Sequence, residues 1–145
     1  QNIGRIFLTN EPGSAGNHTV PHEGERTVAV PCSRVDAVCA QHGLHPQYVK
    51  IDVEGFEYDV LAGFGGFLNA IDLLMIEING LSDQRSRGQR QIHALLISNC
   101  MTGPWQCDFD RKTLRRNDES GMEDSLYLSD RAAERLQQYG LTLAG

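Results

Sequence analysis

The sequence predicts an α/β fold: three layers around a mixed, largely parallel sheet, preceded by a β-hairpin. Three observations carry this expectation. Short β-prone runs alternate with helical stretches of about a dozen residues, the order that builds layered α/β domains. The strongest run, Leu73-Leu74-Met75-Ile76, is apolar without alternation, as in a parallel strand covered on both faces. The 145 residues, 40% of them hydrophobic, suffice for one core without staples. No repeat, low-complexity tract or linker interrupts the chain, so residues 1–145 read as a single domain.

Residues 5–9 are apolar and β-prone, and a loop rich in Gly, Pro, Asn and His follows from Asn10 to Glu25. Residues 27–30 make a second short strand able to pair with the first. Ser33, with Asp36 three residues on, approximates a capping box for the first helix, and Gly43 suits its left-handed end. Residues 48–53 form a strand that breaks at Glu54-Gly55. A helix follows from Phe56 with Val60, Leu61 and Phe64 on one face, and then the strong strand over 71–78. Residues 89–100 are helical, with Ile92, Leu95 and Leu96 facing inward. Residues 105–110 read as a strand, 111–121 as a charged connection and 126–128 as a last strand. Asp130 is placed to cap a final helix ending before Gly140.

Composition excludes several classes. A net charge of -6 disfavours nonspecific binding to a phosphate backbone. No apolar run reaches the roughly 18 residues that span a bilayer. Cys32, Cys39, Cys100 and Cys107 lack the short spacing of a zinc knuckle. Reduced, mostly buried thiols in a cytoplasmic protein are the expectation.

The chemistry concentrates at two acidic strand ends, Lys50-Ile51-Asp52-Val53-Glu54-Gly55-Phe56-Glu57 and Ile76-Glu77-Ile78-Asn79. In open parallel sheets, ligands bind outside the carboxyl ends of the strands. A crossover helix between parallel neighbours brings Asp52, Glu54, Glu77 and Asn79 to one rim, and strand alternation sets Asp52 and Glu54 on the same side if the strand runs that far. Asp52 in a β-run needs a partner or a function, because burying an unpaired carboxylate is costly. The competing structural reading pairs it with Lys50 or an arginine. Glu57 reads as a first-turn carboxylate complementing the helix dipole, and Asn79 as part of an Asn-Gly turn.

Those same residues resemble a known family. Lys50 to Glu57, then Val60-Leu61-Ala62-Gly63, then Leu74-Met75-Ile76-Glu77-Ile78, look like the central signature of FkbM-type class I methyltransferases. The likeness extends upstream through residues 4–8 and 27–30 to Asp36, covering about 4–80; residues 81–145 match only in layout. It implies a partial Rossmann-like methyltransferase sheet and methyl transfer from S-adenosylmethionine to an oxygen of a small-molecule or glycan acceptor. By resemblance Asp52, Glu54 and Glu77 are the catalytic candidates, and Asp52 with Gly55 the cofactor-binding ones. The glycine-rich turn and ribose-binding carboxylate that hold the donor in such enzymes are not found here; Gly13-Ser14-Ala15-Gly16 and Gly63-Phe64-Gly65-Gly66 lack the spacing. With Gln1 in place of Met at the start, the expectation is a C-terminal portion of a methyltransferase domain, inactive alone. The strand over 48–53 is then left with an open edge, and a two-fold homodimer is expected to cover it.

Two alternatives stand beside the transferase. One is a noncatalytic remnant acting as a homo-oligomeric binding module. The other is a metal-dependent hydrolase using the acidic strand ends, by analogy with transferases that hold Mg²⁺ through carboxylates and an Asn, here Asp52, Glu77 and Asn79; no metal ligand is assigned. The five histidines show no ligand spacing, although His18 lies in a loop able to cover a site. Arg111, Lys112, Arg115 and Arg116 read as a solvated face, and Arg85, Arg87 and Arg90 as possible partners of an anionic substrate.

Overall fold

The computed structural model describes residues 2–13, 18–20, 22–78, 88–108, 110–117 and 124–144. They form two compact units, 1–44 and 45–145.

In the first unit, β1 (Asn2–Thr9) pairs antiparallel with β3 (Thr27–Ser33), with Leu8 opposite Val28 and Ile6 opposite Val30. The expected hairpin is present, and a third strand, β2 (Thr19–Val20), adds to the other side of β1. Helix α1 (Val35–His42) ends on Gly43 at φ 62°, the left-handed conformation glycine adopts without strain. The capping box does not form. Ser33 remains in β3, Arg34 takes the cap position without a side-chain cap bond, and Asp36 instead accepts from the Arg34 guanidinium at 2.7 Å.

The second unit is a six-stranded mixed sheet in the order β4-β5-β8-β6-β7-β9. Its strands are β4 (Tyr48–Ile51), β5 (Leu73–Glu77), β6 (Met101–Asp108), β7 (Thr113–Arg116), β8 (Asp124–Ser129) and β9 (Thr142–Ala144). Pairing is parallel at β4–β5 and β7–β9 and antiparallel elsewhere, so "largely parallel" overstated it. The reason lies in two strands: β8 runs against both β5 and β6, and β7, within the charged stretch 111–121, turns straight back on β6 instead of crossing over. The charges of Arg115 and Arg116 hid β7, in which only Leu114 is buried.

Helix α2 (Glu57–Phe64) and a following 3₁₀ turn (Gly65–Ala70) form the right-sized crossover between β4 and β5. Helix α3 (Gln89–Ser98) precedes β6, and α4 (Asp130–Gln138) follows β8. Directly opposed residues share a sheet face. Leu74 and Tyr127 are opposed, and α3 packs on their face, where His93 meets Tyr127. Leu73, Leu128 and Trp105 lie on the other face, packed with Ala132 and Leu136 of α4. Helices thus cover both faces, which explains the unbroken apolar run in β5. Cover is uneven: Leu74 and Ile76 are wholly buried, Leu73 and Met75 half-buried.

The end of the sheet where β5 begins is locked by Asp72, which is 2% exposed. Its carboxylate accepts from Ser129 Oγ at 3.0 Å and Arg131 Nε at 2.8 Å, and its carbonyl accepts the Ser129 N–H at 3.0 Å. Ser129, not Asp130, caps α4, taking the Ala132 N–H on its hydroxyl at 3.1 Å. All four cysteines are free thiols; Cys39 is buried, Cys32 and Cys107 are half-buried, and Cys100 is exposed. Among the described residues no helix is long and apolar enough to cross a membrane.

Candidate acidic rim at the strand ends

Strand β4 stops at Ile51, which is buried, and leaves Asp52 just past its carboxyl end. Alternation therefore does not govern Glu54. The backbone turns sharply instead, with Glu54 at φ 51° and Gly55 at φ 101°. A non-glycine residue in the left-handed region costs energy and persists only where its surroundings enforce it. Part of that enforcement comes from Glu57, 1% exposed, whose Oε1 accepts the Gly55 N–H at 2.8 Å. Glu57 is thus the internal brace of the turn as well as a first-turn carboxylate of α2.

Asp52 is half-exposed and paired with Lys50, Nζ to Oδ2 3.1 Å. Glu77, the last residue of β5, faces this pair across the parallel ladder, in which Ile51 is opposite Ile76. Burial pushes the Glu77 carboxyl up, and the adjacent Asp52, then Glu54 and Asp124, push it further. The structure thus brings Asp52, Glu54 and Glu77 to one rim, together with a carboxylate the sequence reading passed over. Asp124 opens β8 directly opposite Glu77 on the antiparallel ladder. Its only sequence signal was an acidic residue at the start of the last apolar run, invisible until that run is known to lie antiparallel beside β5. Lys50 is the cation of this group, its ammonium held in the charged form by Asp52 first and also by Asp124 and Glu77.

Opposed like charges destabilise a ladder, and the sign of the resulting pH dependence follows from Glu77. A carboxyl raised above its unfolded value binds more protons in the folded state, so stability falls as pH rises through that window and stays lower above it. Glu77→Gln removes the charge and keeps the shape. Its melting temperature should exceed that of the wild type at pH 7, and the two should converge as pH is lowered through the glutamate range. Parallel melting curves across that range would remove Glu77 from this role.

Other candidates lie apart from the rim or have structural partners. Asp108 has both Arg111 and Arg115 at 3.7 Å, and Arg116 lies 5.1 Å over the Trp105 ring, so the basic cluster is a paired surface. His18 is half-buried in the hairpin unit, its N–H donating to Thr9 Oγ1 at 2.9 Å. Arg90 is exposed, while Asn79, Arg85 and Arg87 fall outside the described residues. Among the described residues no three His, Cys, Asp or Glu side chains are grouped to hold a metal ion. A groove of about 510 Å³, lined by Gln106, Cys107, Asp108, Asp110 and Arg115, opens by the carboxyl end of β6. Because β6 runs antiparallel to β8, that end lies beside the Asp124 end.

Two comparisons, with curated proteins and with solved structures, return no match. The model of the methyltransferase FkbM domain, in contrast, matches residues 2–110, taking in the hairpin, Asp52, Glu54 and Glu77 of the acidic rim and all of β6. That span is most of the chain, and the chain therefore belongs to the methyltransferase FkbM domain family.

Proposed function

We propose that this chain supplies the acceptor side of an S-adenosylmethionine-dependent O-methyltransferase, with the acidic rim as the place where the acceptor hydroxyl is held and deprotonated. The observation that carries this reading is the convergence of Asp52, Glu54 and Glu77 at the carboxyl ends of adjacent parallel strands, the position where open α/β sheets bind ligands. A hydroxyl that becomes a methyl ether must lose its proton, and an ionised carboxylate within reach is the group to take it. Carboxylates also hydrogen-bond vicinal hydroxyls, which suits a glycan or small polyol. The groove beside Asp108 gives room for the rest of such an acceptor.

The donor fits the described residues poorly. Binding its charged and polar groups calls for free backbone N–H groups at a glycine turn that opens a helix. At the rim, the Gly55 N–H is already given to Glu57, and Gly65-Gly66 follow α2 instead of preceding it. We therefore assign the donor to other residues and no step to this rim beyond the acceptor's proton. The isolated 145-residue chain should give no calorimetric signal for S-adenosylmethionine at micromolar concentrations. Micromolar binding would overturn this assignment. The transferase reading itself is tested by joining the chain to a donor-binding half and following labelled methyl into hydroxyl-bearing acceptors. A polypeptide that binds the donor yet labels no hydroxyl would point to the second reading, a noncatalytic binding module. Among the described residues no grouped ligand set favours the hydrolase alternative.

A further inference from the structure

Glu57 is 1% exposed, and a carboxylate is buried at a cost that something must offset. The dipole of α2 does not require it inside, because Asp59, exposed in the same first turn, complements the dipole from the surface. No side chain caps the helix either. Phe56 holds the cap position, and Glu57 reaches back to the Gly55 N–H at 2.8 Å. The turn so held is the strained part of the rim. Glu54 stands at φ 51°, a conformation that glycine or asparagine adopts more readily, with Gly55 beside it at φ 101°. A chain that needed only the turn would carry one of those residues at position 54. Strain of this kind collects where a particular side chain has to be held in place. Glu54 lies close enough to Glu77 to crowd its carboxyl. Asp52 needs no such brace, since β4 and Lys50 hold it.

We infer that Glu57 is a positioning residue, whose hydrogen bond to the Gly55 N–H fixes the left-handed turn that keeps the Glu54 carboxylate beside Glu77. The placement stands on the geometry of the turn; its use rests on the transferase reading, in which Asp52 takes the proton and Glu54 helps to hold the acceptor. Glu57 therefore serves acceptor binding without touching the acceptor.

Two conservative substitutions separate reach from charge. Glu57→Asp keeps the charge and loses the reach, and Glu57→Gln keeps an oxygen within reach and loses the charge. Carboxyl NMR of the 145-residue chain follows the titration of Glu77, which Asp52, Asp124 and Lys50 face equally in every variant. Glu57→Asp should lower the Glu77 midpoint by roughly half a unit or more, the scale of a unit charge moved by a few ångströms. Glu57→Gln should leave it in place. In a Glu54→Gln background Glu57→Asp should have no further effect, because its action passes through Glu54. A midpoint unmoved by Glu57→Asp, an equal or larger shift in Glu57→Gln, or a full shift without the Glu54 carboxylate would overturn the inference. Should Glu57→Asp fail to fold by circular dichroism, the wild type and Glu57→Gln decide. Exchange of the Gly55 amide should be slowed in both, and exchange at the unprotected rate in the wild type, or a moved Glu77 midpoint in Glu57→Gln, overturns it. In a polypeptide that binds the donor, Glu57→Asp should raise the acceptor KM by about tenfold or more with kcat little changed. An unchanged KM would strip Glu57 of its part in acceptor binding. A wild type that transfers no methyl while the midpoints move as expected would sink the transferase reading and leave the placement of Glu54 by Glu57 standing.

Discussion

Gly103→Ala should destabilise the second unit by about 2–6 kcal/mol, the sum of backbone strain of about 1–3 kcal/mol and overpacking of about 1–3 kcal/mol. Gly103 sits in β6 at φ 154°, in the region that side-chain-bearing residues rarely adopt. A Cβ there would lie 2.7 Å from the Leu126 carbonyl oxygen and 2.7 Å from Cδ1 of Tyr127. Neither neighbour can retreat cheaply. Leu126 is in the central strand β8, paired to β5 on one side and β6 on the other. Tyr127 is wholly buried, its hydroxyl 3.3 Å from His93 Nδ1, and burial pushes its phenol up to about 12. Moving the ring therefore disturbs α3 as well. Urea unfolding measures the difference; a cost below about 1 kcal/mol, within the range of an ordinary surface change, would mean that β6 can shift away from β8.

Much of this architecture was readable because local pattern and tertiary packing agree. The apolar run in β5, the Gly43 stop and the crossover between β4 and β5 each follow from residue type alone. So did the hairpin, whose strands lie near in sequence. The misses have more than one cause. Ser129 displaced Asp130 as the α4 cap because Ser129 also bonds Asp72, 57 residues away. Strand β7 is masked by Arg115 and Arg116, whose charges are absorbed by Asp108 and Trp105 of the neighbouring strand. At the rim, Asp52 and Glu77 were legible because each ends a strand that has its own apolar signature. Asp124 was not, since its place depends on the direction of β8. Glu57 read as a first-turn carboxylate complementing the helix dipole, which it is, and the tight turn at Glu54-Gly55 also draws it inside.

Asp52→Asn should lower the rate of methyl transfer by about 100-fold or more in a polypeptide that binds the donor, the range for loss of a positioned proton acceptor. The substitution is nearly isosteric. It keeps an oxygen facing Lys50, which is 55% exposed and loses little by the change. Exposed ion pairs contribute about 0–1 kcal/mol to stability, so the fold should survive. The loss should then appear in kcat with KM little altered, since the acceptor still meets Glu54 and Glu77 before it reacts. Glu77 stands beside Asp52 in a half-buried, anion-crowded setting that pushes its carboxyl up, a pressure that removing the Asp52 charge relieves in part. Steady-state kinetics across the neutral range distinguish the cases. Undiminished kcat at all pH values would return Asp52 to the role of a surface partner for Lys50, and a raised KM with unchanged kcat would make it a binding group instead of a base.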